Sequence, residues 1–176
     1  MQGKQIFAIP GSLRAGSSNH NILKQIGGLL PTDVRYNIYD ALAIIPPFDP
    51  GLDNDTPPQA VMELRNTITQ ADAVIICTPE YAYGIPGQLK NALDWMVSSA
   101  SFSGKPTALV TASTGGENAH TALLKVLGAI DCQIIEGGTL LISYIRSKMD
   151  ADGNITDKDT AGALKNIADK LLKATA

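Results

Sequence analysis

The chain has 176 residues, 44% of them apolar and 18% charged, and a net charge of −3. This size and composition are typical of a soluble globular protein, and we expect a single domain over residues 1–176. No run of lysine or arginine predicts a nucleic-acid surface, and no apolar stretch is long enough to predict a signal peptide or a membrane span. Cys77 and Cys132 lie far apart in apolar runs, as buried free thiols of a reducing compartment do. We therefore expect a cytoplasmic enzyme or binding protein.

The hydrophobic pattern predicts strands and helices that alternate along the chain. Apolar runs predict strands at Gln5–Pro10, Val34–Tyr39, Ala73–Cys77 and Pro106–Ala112, and a fifth strand in two pieces, Cys132–Ile135 and Thr139–Ile142. Helical spacing predicts helices at Asn19–Leu30, Gln59–Gln70, Pro86–Ser99, Asn118–Ala129 with Asn118 as the cap, and Asp159–Ala174. The segment Asp40–Pro58 has neither pattern and is either a surface excursion or a functional or mobile connection.

This alternation of elements predicts the fold class. Strands that alternate with helices form right-handed βαβ units and a parallel sheet. Five such strands favour an α/β three-layer sandwich with strand order 2-1-3-4-5 and helices on both faces, the flavodoxin-like arrangement.

Three polar loops follow the first, third and fourth predicted strands, at residues 11–19, 79–87 and 113–118. The carboxyl ends of parallel strands lie at one edge of the sheet, and these three strands are neighbours in the predicted order. We therefore expect the loops to form one composite site, at the edge where open α/β sheets bind ligands.

The first loop has the composition of a phosphate-binding site. It offers hydroxyls, a guanidinium and an amide, from Ser12, Arg14, Ser17, Ser18 and Asn19. A helix N-terminus follows, and its free N–H groups and dipole favour an anion. A P-loop would need lysine where Ser17 stands, and a dinucleotide-binding loop would need glycine where Leu13 stands. What remains is a site for a terminal phosphate monoester or, alternatively, a capped turn without a ligand.

The second and third loops suit a flat ring. Tyr81 and Tyr83 offer stacking faces, and the backbone near Gly84 offers N–H donors. The third loop, Ser113–Gly116, allows close backbone approach from the other side. The alternatives are packing of the tyrosines at a rim or interface, a helix-terminal or interface ion pair for Glu80, and ordinary turns at the glycines. Trp95, on the following helix, is expected in the core or at a dimer contact.

Two motifs together resemble those of the NAD(P)H-dependent FMN reductases. They are Gly11-Ser12-Leu13-Arg14…Ser17…Asn19 and Pro79-Glu80-Tyr81…Pro86-Gly87…Leu89-Lys90-Asn91-Ala92-Leu93-Asp94-Trp95. That family has a flavodoxin-like fold and includes quinone, azo-dye and chromate reductases. The resemblance implies bound FMN, NADPH or NADH as electron donor, and a small acceptor such as a quinone, azo compound, free flavin or metal oxyanion. It also implies a homodimer or homotetramer with the flavin near a subunit interface.

The resemblance also assigns the site residues. The FMN phosphate would be held by Ser12, Arg14, Ser17, Ser18 and Asn19, and the ring would be lined by Pro79, Glu80, Tyr81, Ala82, Tyr83, Gly84, Ser113, Thr114, Gly115 and Gly116. Ala82 stands where the family usually has asparagine, and the third loop is short and lacks the family's arginine. The short loop favours an alternative, a flavin-binding electron carrier or redox-responsive interaction protein without significant NAD(P)H turnover. A nucleotide-binding protein without flavin is a third possibility.

No acid–base pair or metal cluster is evident in the sequence. His20 and His120 have no partner at metal-ligand spacing. Residues 150–154 resemble the start of a calcium loop, but Ile155 stands where glycine is required and Ala161 where glutamate is required. Since a flavin supplies its own chemistry while the protein positions and tunes it, we expect neither a catalytic side chain nor a metal ligand.

Overall fold

The computed structural model describes residues 3–175, and within them five strands form one parallel sheet flanked by five α-helices. The strands are β1 (Gln5–Pro10), β2 (Arg35–Ile38), β3 (Ala73–Thr78), β4 (Pro106–Ala112) and β5 (Gln133–Ile142). The α-helices are α1 (Ser18–Leu29), α2 (Gln59–Gln70), α3 (Gly87–Asp94), α4 (Glu117–Ala129) and α5 (Lys158–Ala174). Two 3₁₀ turns lie at Leu42–Ile44 and Ile145–Lys148.

The strand order is β2-β1-β3-β4-β5, and the predicted flavodoxin-like order is confirmed. Every residue of the central strand β3 is buried, which explains its uninterrupted apolar sequence. Successive side chains of β3 point to opposite faces of the sheet. Val74 and Ile76 pack with α2, α3 and α4, while Ala73 and Ile75 pack with α1 and α5. The carboxyl ends of β1, β3 and β4 therefore meet at one edge, between two packed layers.

Two predicted helix boundaries were wrong. Helix α3 ends at Asp94 rather than Ser99, and the chain continues in turns that include Ala100 with φ 52°. Helix α4 begins at Glu117 with Gly116 as its cap, not Asn118. Gly116 has φ 119°, in the left-handed region that favours glycine, so it can change the chain direction there at little cost.

Strand β5 is continuous rather than divided, although it is irregular where the interruption was predicted. Its register against β4 shifts between the partners of Thr107 and Leu109, and Gly137 there has φ 70°. Thr107 lies opposite Ile134 and Leu109 opposite Thr139, so β5 has three more residues than β4 in this stretch. The positive φ of Gly137 lets these extra residues bend out of the ladder, as in an enlarged β-bulge.

The segment Asp40–Pro58 is held against α3 by hydrogen bonds. Gln88 donates to the carbonyls of Leu42 and Ile45 at 2.8 Å, and the indole of Trp95 donates to the Pro46 carbonyl at 2.9 Å. Asn91 also donates to Pro46 and accepts from the Phe48 N–H at 2.7 Å. Residues 88, 91 and 95 lie on one helix face. Trp95 is fully buried, so the predicted core position is confirmed.

Candidate functional site

The three predicted loops converge on one cavity of about 160 Å³ at the carboxyl edge of the sheet. Ten predicted site residues line it: Ser12, Arg14, Ser17, Ser18, Asn19, Pro79, Glu80, Tyr81, Ser113 and Thr114. Five others, Ala82, Tyr83, Gly84, Gly115 and Gly116, lie outside its lining. Three lining residues were not predicted: Ala112, Ile145 and Arg146.

The β1–α1 loop is held in place by its own hydroxyl groups. Ser17 caps α1 by accepting from the His20 N–H at 3.2 Å, and Ser12 Oγ accepts from the Arg14 N–H at 3.3 Å. Both oxygens act as acceptors in these bonds, so the Ser17 hydroxyl proton can point at a ligand, while the Ser12 hydroxyl also shares a hydrogen bond with Tyr81. The side chains of Ser12 and Ser17 are almost fully buried, so these donors are fixed in position.

Asn19 ties this loop to the ends of two other strands. Its Nδ2 donates to the Ala112 carbonyl at 3.3 Å, and its Oδ1 accepts from the Cys77 thiol at 3.5 Å. Asn19 is 3% exposed. The side-chain amide of Asn19 therefore links the loop after β1 to the ends of β3 and β4. These two hydrogen bonds fix the position of the start of α1 beside the cavity.

Gly11 explains why the chain turns so tightly after β1. Its N–H donates to the Cys77 carbonyl at 2.7 Å. A Cβ on Gly11 would lie 2.6 Å from Thr78 Oγ1 and 3.0 Å from Leu89 Cδ2. Only glycine permits this approach between the first and second loops.

The β3–α3 loop carries a two-residue turn at its tip. Tyr81 and Gly84 pair through N–H···O bonds of 3.1 and 3.0 Å, and the residues between them, Ala82 and Tyr83, have φ values of 48° and 61°. Two positive φ values in this position define a type I′ turn, which favours Asn-Gly. The turn carries Tyr83 into solvent with 83% exposure, whereas Tyr81 faces the cavity and its hydroxyl shares a 3.4 Å hydrogen bond with Ser12 Oγ.

Glu80 joins the second loop to the third. Its carboxylate accepts from the Ala119 N–H at 2.9 Å, in the first turn of α4, and its own N–H donates to Ser113 Oγ at 3.2 Å. A carboxylate at a helix N-terminus is stabilised by the free N–H groups and the dipole. Among residues 3–175, Glu80 therefore forms no ion pair of the expected kind and instead accepts a backbone hydrogen bond at the start of α4.

Arg146 comes from a fourth segment, the 3₁₀ turn after β5. The N–H groups of Tyr144 and Ile145 donate to the carbonyls of Thr114 and Ser113, both at 3.1 Å, and Ile145 is buried in the core. These contacts hold the turn against the third loop and place Arg146 at the cavity. The position of Arg146 could have been predicted from the sequence, because the fifth predicted strand ends at the same edge of the sheet as the other strands and Arg146 follows it.

The cavity is electropositive at the α1 end. Among residues 3–175, neither Arg14 nor Arg146 forms an ion pair, and the first turn of α1 contains no acidic residue. Two guanidinium groups, the serine hydroxyls and the α1 N-terminus suit a phosphate dianion. At the other end, the exposed face of Tyr81 and the backbone of loops 79–84 and 113–116 suit a flat ring. This residue set fits FMN.

The described residues hold no reactive nucleophile at the cavity. Burial raises the pKa of the Cys77 thiol and raises that of Cys132 to about 12, so both remain protonated at neutral pH. His120 lies outside the cavity lining and shares a 2.8 Å hydrogen bond with Thr111 Oγ1. No cluster of three or more potential metal ligands occurs in residues 3–175. No helix in that range is both long and apolar enough to cross a membrane.

Comparisons with known proteins identify the family of the chain. The model of the NADPH-dependent FMN reductase family matches residues 5–146. A 2-hydroxy-1,4-benzoquinone reductase of Burkholderia is 31% identical, over 94% of this chain and 93% of the relative. An NAD(P)H-dependent FMN reductase of Pseudomonas aeruginosa is 34% identical, over 87% and 85%. The solved structure of FerB, a flavoenzyme NAD(P)H:(acceptor) oxidoreductase of Paracoccus denitrificans, has a TM-score of 0.77 and 29% identity, covering 98% and 97% of the two chains. The chain described here belongs to the NADPH-dependent FMN reductase family.

Proposed function

We propose that this chain is an FMN-dependent oxidoreductase that passes electrons from NADPH or NADH to a small quinone-type acceptor. The observation that carries the proposal is the single cavity in which Arg14, Arg146 and buried serine hydroxyls lie at one end and Tyr81 at the other. When bound, FMN would accept hydride from the nicotinamide and deliver electrons to the acceptor. A quinone is favoured because a similar Burkholderia protein is a 2-hydroxy-1,4-benzoquinone reductase.

In this proposal, the residues of the protein bind FMN and fix its orientation. Ser12, Ser17 and Arg14 hold the phosphate, with Ser18 and Asn19 beside them at the start of α1. Tyr81 offers one face to the ring, and its hydroxyl contact with Ser12 couples the two ends of the site. Glu80 holds the second and third loops together through Ser113 and the first turn of α4. No side chain is assigned to proton transfer.

We also propose that the chain acts as a single domain that assembles into a homodimer or homotetramer. The cavity, at about 160 Å³, is smaller than the roughly 300–1,000 Å³ that small-molecule sites usually occupy. Large apolar side chains on the loops around it are exposed, namely Leu13, Tyr81, Tyr83 and Tyr144. Exposed apolar groups of this kind mark interaction sites, and a second copy would enclose the outer part of the flavin.

The cytoplasm, where free thiols persist, is the proposed compartment.

The visible spectrum of the purified protein tests the function. We expect flavin absorbance bands after incubation with FMN, bleaching of those bands by NADPH or NADH without oxygen, and their return when a benzoquinone is added. A protein that binds FMN but is not reduced by either nicotinamide would favour an electron carrier. A protein that takes up no flavin would contradict the proposal. Sedimentation of the FMN-loaded protein would give its oligomeric state.

A further inference from the structure

The phosphate end of the cavity is open. Arg14, Ser18 and Arg146 line the cavity on one side and a second space of about 450 Å³ on the other. The far wall of this second space is Met149 and the turn 150–153. We call it the outer groove. A ligand held by the two arginines can therefore extend past them, away from the ring end.

The charges along the outer groove change sign. At its inner end, the guanidinium groups of Arg14 and Arg146 form no ion pair within residues 3–175. Lys148, in the same 3₁₀ turn as Arg146, is instead engaged with Asp157 at 3.8 Å and with Thr160 at 3.3 Å. Two free positive charges match a diphosphate diester as well as they match one phosphate dianion.

The outer end of the groove carries two carboxylates. Asp150 and Asp152 both line it, and Asp150 Oδ1 accepts from the Asn154 N–H at 2.8 Å. A phosphate at this end would be repelled, whereas hydroxyl and amino groups would donate to the carboxylates. The half-buried side chain of Met149 adds an apolar surface for a flat base. Positive charges at the inner end and carboxylates at the outer end suit a nucleoside that is joined to the flavin through a diphosphate.

We propose that the outer groove binds the adenosine monophosphate half of flavin adenine dinucleotide, so that the chain takes FAD as well as FMN. The proposal rests on the proposed function for the flavin half of the ligand. The ring occupies the inner cavity, and the first phosphate lies with Ser12, Ser17 and Arg14 as it does in FMN. The two arginines lie between the two spaces, so they also contact the second phosphate, and the adenosine lies between Met149 and the turn 150–153.

Titration of flavin-free protein with FMN and with FAD, followed by flavin fluorescence, tests this inference. We expect the natural chain to bind the two flavins with dissociation constants within about tenfold of each other. Ala151→Trp, on the exposed turn, fills the outer groove and should weaken FAD binding by at least about tenfold while FMN binding stays the same. Arg146→Gln should weaken both flavins, and Lys148→Gln, which removes the same charge from the same turn, should weaken neither.

The outcomes separate the inference from the proposed function. FMN binding with FAD weaker by much more than about tenfold, or no change in FAD binding by Ala151→Trp, would overturn the inference alone. Failure to bind either flavin would overturn both. If Ala151→Trp does not fold, the inference is tested in the natural chain by measuring how well ADP and inorganic pyrophosphate displace bound FMN. ADP should then displace FMN at a lower concentration than inorganic pyrophosphate, and equal potency would overturn the adenosine site.

Discussion

The two ends of the candidate site are built differently. The phosphate half, residues 11–19, joins the end of a buried strand to the start of a helix, and its Ser12, Ser17 and Asn19 are at most 8% exposed. The ring half, residues 79–84, ends in a projecting two-residue turn, and its two tyrosines are 55% and 83% exposed. The polar side chains of the first half are buried within the chain itself, whereas the tyrosines of the second half are left uncovered.

This difference matches what the proposed binding of FMN would require of each half. A phosphate is small and charged, so a few fixed donors and a helix N-terminus satisfy it within one loop. A flavin ring has two large faces, and one loop can cover only one of them. Variants of the phosphate half should therefore change affinity and folding, whereas variants of the ring-half turn should have little effect on the phosphate contacts.

Arg14→Ala is expected to have the largest effect. It removes one charge-assisted contact to the phosphate, and FMN affinity should fall by about 1.5–3 kcal/mol. Riboflavin, which has no phosphate, should bind the variant as it binds the natural chain. Titration of flavin-free protein by fluorescence gives both values. Arg35→Ala is the matched control, since Arg35 is exposed at the start of β2. An equal loss of affinity in both variants would show a general charge effect instead.

Gly11→Ala should come next, through folding rather than through ligand contact. Its Cβ would lie 2.6 Å from Thr78 Oγ1 and 2.9 Å from Thr78 Cβ, in a buried region. Overpacking of this kind costs about 1–3 kcal/mol in the free energy of unfolding. Gly87→Ala is the control, because a Cβ on Gly87 meets nothing within 4 Å. Urea denaturation should separate the two variants, and equal stabilities would contradict the tight approach at Gly11.

Much of the fold was predictable because it depends on local patterns. The apolar run Ala73–Cys77 indicated a strand buried on both faces, and alternation with helices indicated the strand order. The composition of the first loop also indicated an anion site, because the groups that form such a site are close together in the sequence. The helix N-terminus and the serines that cap it are sequence neighbours.

What could not be predicted depends on contacts between distant residues. Helix α4 starts at Glu117 after the cap Gly116, and the N–H of Ala119 in its first turn donates to Glu80, which is 39 residues away. The segment 40–58 takes its conformation from the side chains of α3. Arg146 reaches the cavity only because the turn after β5 bonds to the third loop. The turn at Ala82 and Tyr83 uses residues that this turn type disfavours, so its composition gave no signal.

Ala82→Asn should stabilise the ring half modestly. Ala82 has φ 48°, and asparagine tolerates the left-handed region better than alanine because its side chain can hydrogen-bond locally. We expect the free energy of unfolding to rise by up to about 1 kcal/mol. Ala151→Asn is the control, since that exposed turn residue does not have a positive φ. Thermal melts should show a higher midpoint for Ala82→Asn alone, and a similar rise in both variants would disprove the explanation.

The smallest expected effect is a loss of stability in weak acid. Burial lowers the pKa of His120 below its ordinary value of 6.5, and burial with the charge of Lys24 lowers that of His20. Because the folded state disfavours the charged imidazoles, the unfolded chain binds more protons as the pH falls through about 6.5. Stability is therefore complete above that pH, and the urea midpoint should decrease between about pH 7.5 and pH 5.5. His120→Gln should reduce the decrease at any salt concentration, whereas added salt should weaken only the part of the His20 shift that is due to Lys24. A His120→Gln variant with an unchanged pH dependence would show that the packing of α4 beside the ring half does not disfavour the protonated imidazole.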